Sequence, residues 1–174
     1  MTKMNKLITK LILFILVAIT FTNCKKDDAP VTPSLNAVGT WSIATVKGSS
    51  KSGFSTKATT LDNKGNGEEV TFTSTTYSMN KDFDFGDLSL NKITNAPYTI
   101  SGSDLKLEVL TDDNRKAFVY AKITGTGNTI SIQFTKADYI RGFKESPAIK
   151  ANEVALFEAL LEILDVTTTF NKKP

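Results

Sequence analysis

The chain has a single cysteine, Cys24, and no histidine, and these two facts bound its chemistry. Without an imidazole, the Ser-His-Asp and Cys-His arrangements of nucleophilic catalysis and the usual zinc sites cannot be assembled. Cys24 stands behind a basic leader (Lys3, Lys6, Lys10), an apolar run from Leu11 to Ile19 (LILFILVAI) and the short stretch Phe21-Thr22-Asn23. Charged start, apolar core and small polar end are the three-part plan of a secretory signal. A membrane span is not expected, because crossing a bilayer takes about 20 apolar residues and this run is roughly half that. A lone thiol in an oxidising compartment has nothing to pair with. Its placement makes Cys24 a lipid attachment point.

Carboxylates are the next candidates. Asp82, Asp84 and Asp87 lie in Lys81-Asp-Phe-Asp-Phe-Gly-Asp-Leu88, and a carboxylate pair could serve a glycosidase. Their alternation with phenylalanine puts acids and aromatics on opposite faces of one extended segment, which reads as a solvated edge anchored by Phe83 and Phe85. Asp62 to Glu69 (DNKGNGEE) resembles the opening of an EF-hand loop, but Lys64 replaces an oxygen ligand and Thr73 stands where the closing glutamate belongs. It reads as a hairpin loop, and Asp112-Asp113-Asn114 as a turn. Phosphate-cradling and dinucleotide patterns are absent. The expectation is a non-enzymatic protein with no metal and no cofactor.

Removing residues 1 to 23 lowers the basic count from 21 to 18 and leaves the acidic count at 18. The mature chain is near neutral, so little supports nucleic-acid binding. About 150 residues remain, enough for a single domain with one core. With no second cysteine, that core has no disulfide to help it.

Residues 25 to 36 (KKDDAPVTPSLN) are charged and then rich in proline, serine and threonine, and read as a tether. From Val38 the pattern has period two. It predicts strands at Thr40–Lys47, Phe54–Leu61, Glu69–Thr75, Thr76–Asn80, Leu88–Leu90, Tyr98–Ser101, Asp104–Leu110, Lys116–Thr124 and Thr129–Lys136. Turn chemistry recurs about every 10 residues, the mark of an antiparallel meander that closes into a barrel or packs as a sandwich. The alternation assigns Trp41, Ile43 and Thr45, Leu105, Leu107 and Val109, Phe118, Tyr120 and Lys122, and Ile130, Ile132 and Phe134 to inward faces. Ser146-Pro147 then offers a helix start, and residues 148 to 164 (AIKANEVALFEALLEIL) predict one amphipathic helix with Ile149, Leu156, Phe157, Leu160, Leu161 and Leu164 on its apolar face. Residues 165 to 172 return to strand composition. The fold expected is mainly β: an antiparallel up-and-down barrel with one C-terminal helix followed by a last strand.

Two resemblances add to this reading. Residues 21 to 24 resemble the lipobox of bacterial lipoproteins, with Thr22 fitting the pattern and Phe21 and Asn23 departing from it. Cys24 followed by Lys25, Lys26, Asp27 and Asp28 is similar to the start of lipoproteins of the Bacteroidetes, in which such a tetrad resembles a surface-export signal. The resemblance implies palmitate-type acylation at Cys24, an outer-membrane location and exposure on the cell surface. Second, Val38-Gly39-Thr40-Trp41 at the head of the first strand, with many strands and a late helix, resembles a lipocalin-like domain over residues 38 to 172. That resemblance implies closure of the barrel base by Gly39 and Trp41, with Arg141 stacked on the indole.

The domain organisation expected is therefore a signal peptide over 1–23, a lipidated cysteine and flexible tether over 24–37, and a barrel over 38–174. The favoured function is a lipid-anchored binding module that holds an apolar or amphipathic small molecule in its cup. The alternative is a surface interaction protein whose barrel is filled by its own side chains and whose loops contact a polysaccharide or partner protein. Phe72, Phe85, Tyr98, Phe118, Tyr120 and Phe134 are the candidate cavity residues, and their bulk favours the alternative.

Overall fold

A computed structural model of the chain describes residues 35–86 and 88–174. The leader, Cys24, Lys25 to Asp28, most of the tether and Asp87 lie outside the described residues.

The long strand β1 (Gly39–Ser52) organises the domain. Along one edge it pairs with β11 (Leu161–Lys172), and along the other with β3 (Glu69–Phe72) and then β2 (Thr59–Lys64). β2 and β3 thus act as one strand, interrupted at residues 65–68. The sheet continues through β4 (Thr76–Met79), β7 (Ala96–Ser101), β8 (Asp104–Leu110), β9 (Lys116–Thr126) and β10 (Thr129–Thr135) to β11, whose pairing with β1 closes an antiparallel up-and-down barrel. Closure leaves no long unpaired edge for another chain to extend. Residues 35–38 and the turns at 73–75, 102–103 and 127–128 mark its lower end. The β1–β2 loop, the 80–95 connection and the helices mark its upper end.

The interior is apolar. Leu105, Leu107 and Val109 of β8 and Ile130, Ile132 and Phe134 of β10 point inward, as alternation predicts. In β1 the prediction fails after Ile43. Ala44 is an extra residue against β11, a β-bulge that shifts the phase, so Val46 rather than Thr45 turns inward. In β9 the predicted face is reversed: Ala117, Val119, Ala121 and Ile123 fill the inside, and Phe118, Tyr120 and Lys122 face out. The cause is a helix. α1 (Lys136–Lys144) lies on the outer face of β9, where a Cβ added to Gly142 would stand 2.3 Å from the Phe118 carbonyl oxygen.

Thr135 caps α1, accepting the Asp138 N–H at 3.2 Å, so the described residues form two helices where one is predicted. Ser146 does not start the second helix. Its hydroxyl donates to the Gly142 carbonyl and accepts the Phe118 N–H, each at 2.7 Å, tying the end of α1 to β9. α2 (Ala151–Leu160) starts at Lys150, whose N–H is held by the Glu153 carboxylate at 2.7 Å. It ends at Leu160, and Leu161 and Leu164, assigned by their spacing to the helix, belong to β11. Phe54 to Ala58, predicted as strand, form the β1–β2 loop, with Phe54 exposed. Tyr139, Phe143 and Phe157 pack ring against ring at 4.9–5.7 Å and hold α1 to α2. Among the described residues no helix is long and apolar enough to cross a membrane.

Between β4 and β7 the chain makes an insert that forms its own two-stranded sheet, β5 (Phe83–Asp84) with β6 (Ser89–Leu90). Phe83, Phe85 and Leu90 are almost fully buried in the common core. Phe85 reaches Phe134 at 5.1 Å and Phe83 reaches Phe170 at 6.1 Å. Each such side chain contributes about 1.5–3 kcal/mol by leaving water.

Candidate functional site

Three places brought together by the fold bear on function: the lower end around Trp41, the outer face of β9 under α1, and a cleft beside the insert.

At the lower end Trp41 is 1% exposed and its indole N–H donates to the Ala37 carbonyl at 2.7 Å. Gly39 next to it has φ +135°, a conformation that side chains other than glycine rarely adopt, and a Cβ there would stand 2.9 Å from Lys172 Cε. The cation facing the indole is Lys172, its Nζ 5.4 Å from the ring. Arg141 is elsewhere, so the expected Trp41–Arg141 stack is corrected: Arg141 lies on α1 with its guanidinium carbon 3.8 Å from the centre of the Tyr120 ring. The physical reason is the helix itself, which carries Arg141 to the outer wall of the barrel.

That outer wall is a closed network. The Glu145 carboxylate accepts the Tyr120 hydroxyl at 2.5 Å and the Lys106 ammonium at 3.2 Å, with Arg141 at 3.5 Å. The Tyr120 hydrogen bond, and then Lys106 and Arg141, hold the Glu145 carboxyl below its ordinary range. Lys106 sits 4.1 Å from the centre of the Phe118 ring. Phe118 and Tyr120, expected to line a cavity, are therefore held outside the barrel. Of the other predicted lining residues, Phe72, Phe85 and Phe134 are inside and packed into the common core. Tyr98 packs edge-on against Phe72 at 4.9 Å and donates to the Thr73 carbonyl at the lower rim. A groove of about 610 Å³ between the helices is lined by Lys136, Ile140, Arg141, Lys144, Glu145 and Glu158. Most of its charges already pair with one another, Lys144 with Glu158 at 3.0 Å and Arg141 with Glu145.

The cleft is different. It occupies about 340 Å³ where β2 breaks into β3, between that break and the first residues of the insert. Buried Ile43, Val46, Phe83 and Phe85 make its floor, and exposed or half-buried Asn63, Lys64, Asn66, Glu68, Asp82 and Asp84 its rim. Its walls are pinned. Lys81 Nζ donates to the Asn66 carbonyl at 2.7 Å, and the Asn80 amide bridges the Gly67 carbonyl and the Glu69 N–H. Asp84 accepts the Gly86 N–H at 2.7 Å and Asp82 the Lys92 N–H at 2.5 Å, shaping the insert and, among the described residues, leaving one oxygen of each carboxylate uncommitted. Among the described residues the Asn63 and Asn66 side-chain amides make no hydrogen bond, and Lys64, Asp82 and Asp84 no ion pair.

In comparisons with protein-family models, with curated proteins and with solved structures, nothing matches this chain. The chemistry of the cleft has to be taken from its own geometry. Among the described residues no group of three or more acids or thiols is placed to hold a metal ion. What the cleft offers is a set of hydrogen-bonding groups above an apolar floor. The sequence names its members only as a hairpin loop and a solvated edge. No spacing in the chain links residues 63–68 to 82–85, because the β1 bulge and the path of the insert bring them together.

Proposed function

We propose that the chain is a lipid-anchored, non-enzymatic lipoprotein of the outer membrane, exposed on the cell surface, whose barrel is filled by its own side chains. Its working surface is the wall beside the insert, where it contacts a polysaccharide or a partner protein. One observation carries this choice over a ligand-holding cup: Phe83, Phe85 and Leu90 of the insert are buried where a small molecule would otherwise sit. The anchor rests on the leader, the apolar run and Cys24, together with their likeness to the lipobox of bacterial lipoproteins; the likeness to lipocalin-like domains rests on Gly39 and Trp41 at the head of β1 and on the order of strands and late helix.

The cup reading retains support from two features. The insert does not join the barrel sheet, and among the described residues Thr168 Oγ1 is buried without a hydrogen-bond partner. Fractionation and native mass spectrometry decide. Wild type labelled with a palmitate analogue is expected in the membrane fraction, and Cys24→Ser unlabelled and soluble, because each buried methylene adds about 0.8 kcal/mol of membrane affinity. An unlabelled wild type removes the anchor. Protein recovered from membranes is expected to carry no mass beyond its own lipid, and a stoichiometric apolar adduct restores the cup.

A further inference from the structure

We infer that the cleft between the β2–β3 break and the insert is a saccharide site, taking one uncharged or amine-bearing sugar ring. This deepens the surface-module reading and rests on it.

Size sets the class of ligand. Sites for small molecules span about 300–1,000 Å³, and the 340 Å³ here belongs at the low end of that range. The lining sets its character. A sugar ring presents hydroxyls around its rim and C–H groups on its faces, so it needs acceptors and donors in a ring above an apolar surface. Asn63 and Asn66 supply amides that both donate and accept, and Asp82 and Asp84 each supply a carboxylate oxygen that can only accept. Hydrogen bonds from hydroxyls to such carboxylates are roughly twice as strong as neutral ones. Ile43, Val46, Phe83 and Phe85 provide the floor for the C–H face.

Charge sets specificity. The rim carries Glu68, Asp82 and Asp84 against Lys64, with the Lys81 ammonium held on the Asn66 carbonyl in the wall beside it, so acids still outnumber bases. A uronic or sulfated sugar would bring a negative charge into a carboxylate-rich site, whereas a hydroxyl or an ammonium would be welcomed there. The groups are also held ready. Asp82 and Asp84 are fixed by the Lys92 and Gly86 N–H groups, and the backbone of residues 66–69 by Lys81 and Asn80, so the two carboxylates and the loop lose little freedom on binding.

The test is ligand-observed NMR with backbone shift mapping on the acylated full chain in a sugar-free detergent. The probes are galactose, N-acetylglucosamine, glucosamine and glucuronic acid. At least one of the first three is expected to bind and shift residues 63–68 and 82–86, with glucuronic acid the weakest. Asn63, exposed and unpartnered, can be changed without disturbing the fold. Asn63→Ala is expected to weaken binding about five- to tenfold, the loss of one hydrogen bond, and Asn63→Trp to abolish it by filling the cleft, both with an unchanged melting temperature. No binding by the three probes, tighter binding of glucuronic acid, shifts confined to the helix groove, or wild-type affinity in both variants would each overturn the site. A negative result with Cys24 still acylated removes the saccharide and leaves the anchored module standing. Sugar binding by an unacylated protein does the reverse.

Discussion

Arg141 and Trp41 show how a residue's type can be read correctly while its partner is not. An arginine near the C-terminal helices does stack on an aromatic ring, but the ring is Tyr120 and the guanidinium is about half exposed. Such a contact contributes about 0.5–1 kcal/mol at an exposed site. Trp41 belongs to another part of the molecule, sealed at the lower end with its N–H on Ala37 and Lys172 across its face. Trp41→Ala should therefore cost roughly 3–5 kcal/mol, the range for emptying a large aromatic site. In urea denaturation, Trp41→Ala and Arg141→Ala should add within about 0.5 kcal/mol, as separate sites do. Tyr120→Ala and Arg141→Ala should couple by about 0.5–1 kcal/mol. A Trp41–Arg141 coupling above about 1 kcal/mol would place the two residues in contact and contradict this arrangement.

Elements were legible where one face alone was apolar. β8 and β10 alternate cleanly because polar residues mark their outer side, and their inward sets follow from the sequence. β9 reads Ala-Phe-Val-Tyr-Ala-Lys-Ile, apolar on both faces because α1 covers the outer one, and period two cannot choose between them. The end of α2 is ambiguous for a related reason: Leu161 and Leu164 continue the helical spacing of Phe157 and Leu160 yet serve β11. α1 escaped because Thr135 and Asp138, its capping pair, look like the end of a strand followed by a turn. The cleft was not legible at all, since its two walls are distant in sequence and meet only after the barrel closes. The insert gives this scale its own prediction. Ser50, itself fully buried, donates to the Phe85 carbonyl at 2.6 Å and so ties insert to barrel. Phe85→Ala should cost roughly 3–5 kcal/mol through the cavity it leaves. Ser50→Ala should cost about 1–3 kcal/mol by leaving the carbonyl unpaired. In both variants, hydrogen exchange should accelerate first at residues 83–90. A loss below about 1 kcal/mol for Phe85→Ala would mean the barrel does not depend on the insert for its interior.

For the molecule as a whole, connectivity decides at which end the chain enters the barrel. β1 starts at the lower end, so the chain enters the barrel beside Trp41 and the closed base, while the insert, α1 and α2 lie toward the other end. Residues 25 to 34 can span at most about 33–36 Å when fully extended, so on the lipid-anchored reading the domain stays close to its membrane. On the surface-module reading, protease added to intact cells should remove the domain. Replacing Lys25, Lys26, Asp27 and Asp28 by alanine deletes two positive and two negative charges, so the net charge of the mature chain is unchanged. Loss of protease sensitivity in that variant, with palmitate labelling retained, would therefore follow from the tetrad acting as an address and not from altered electrostatics of the domain. Equal sensitivity in both forms would reduce the tetrad to a solvated spacer, and a wild type that resists protease on intact cells would turn the domain, with its cleft, toward the periplasm.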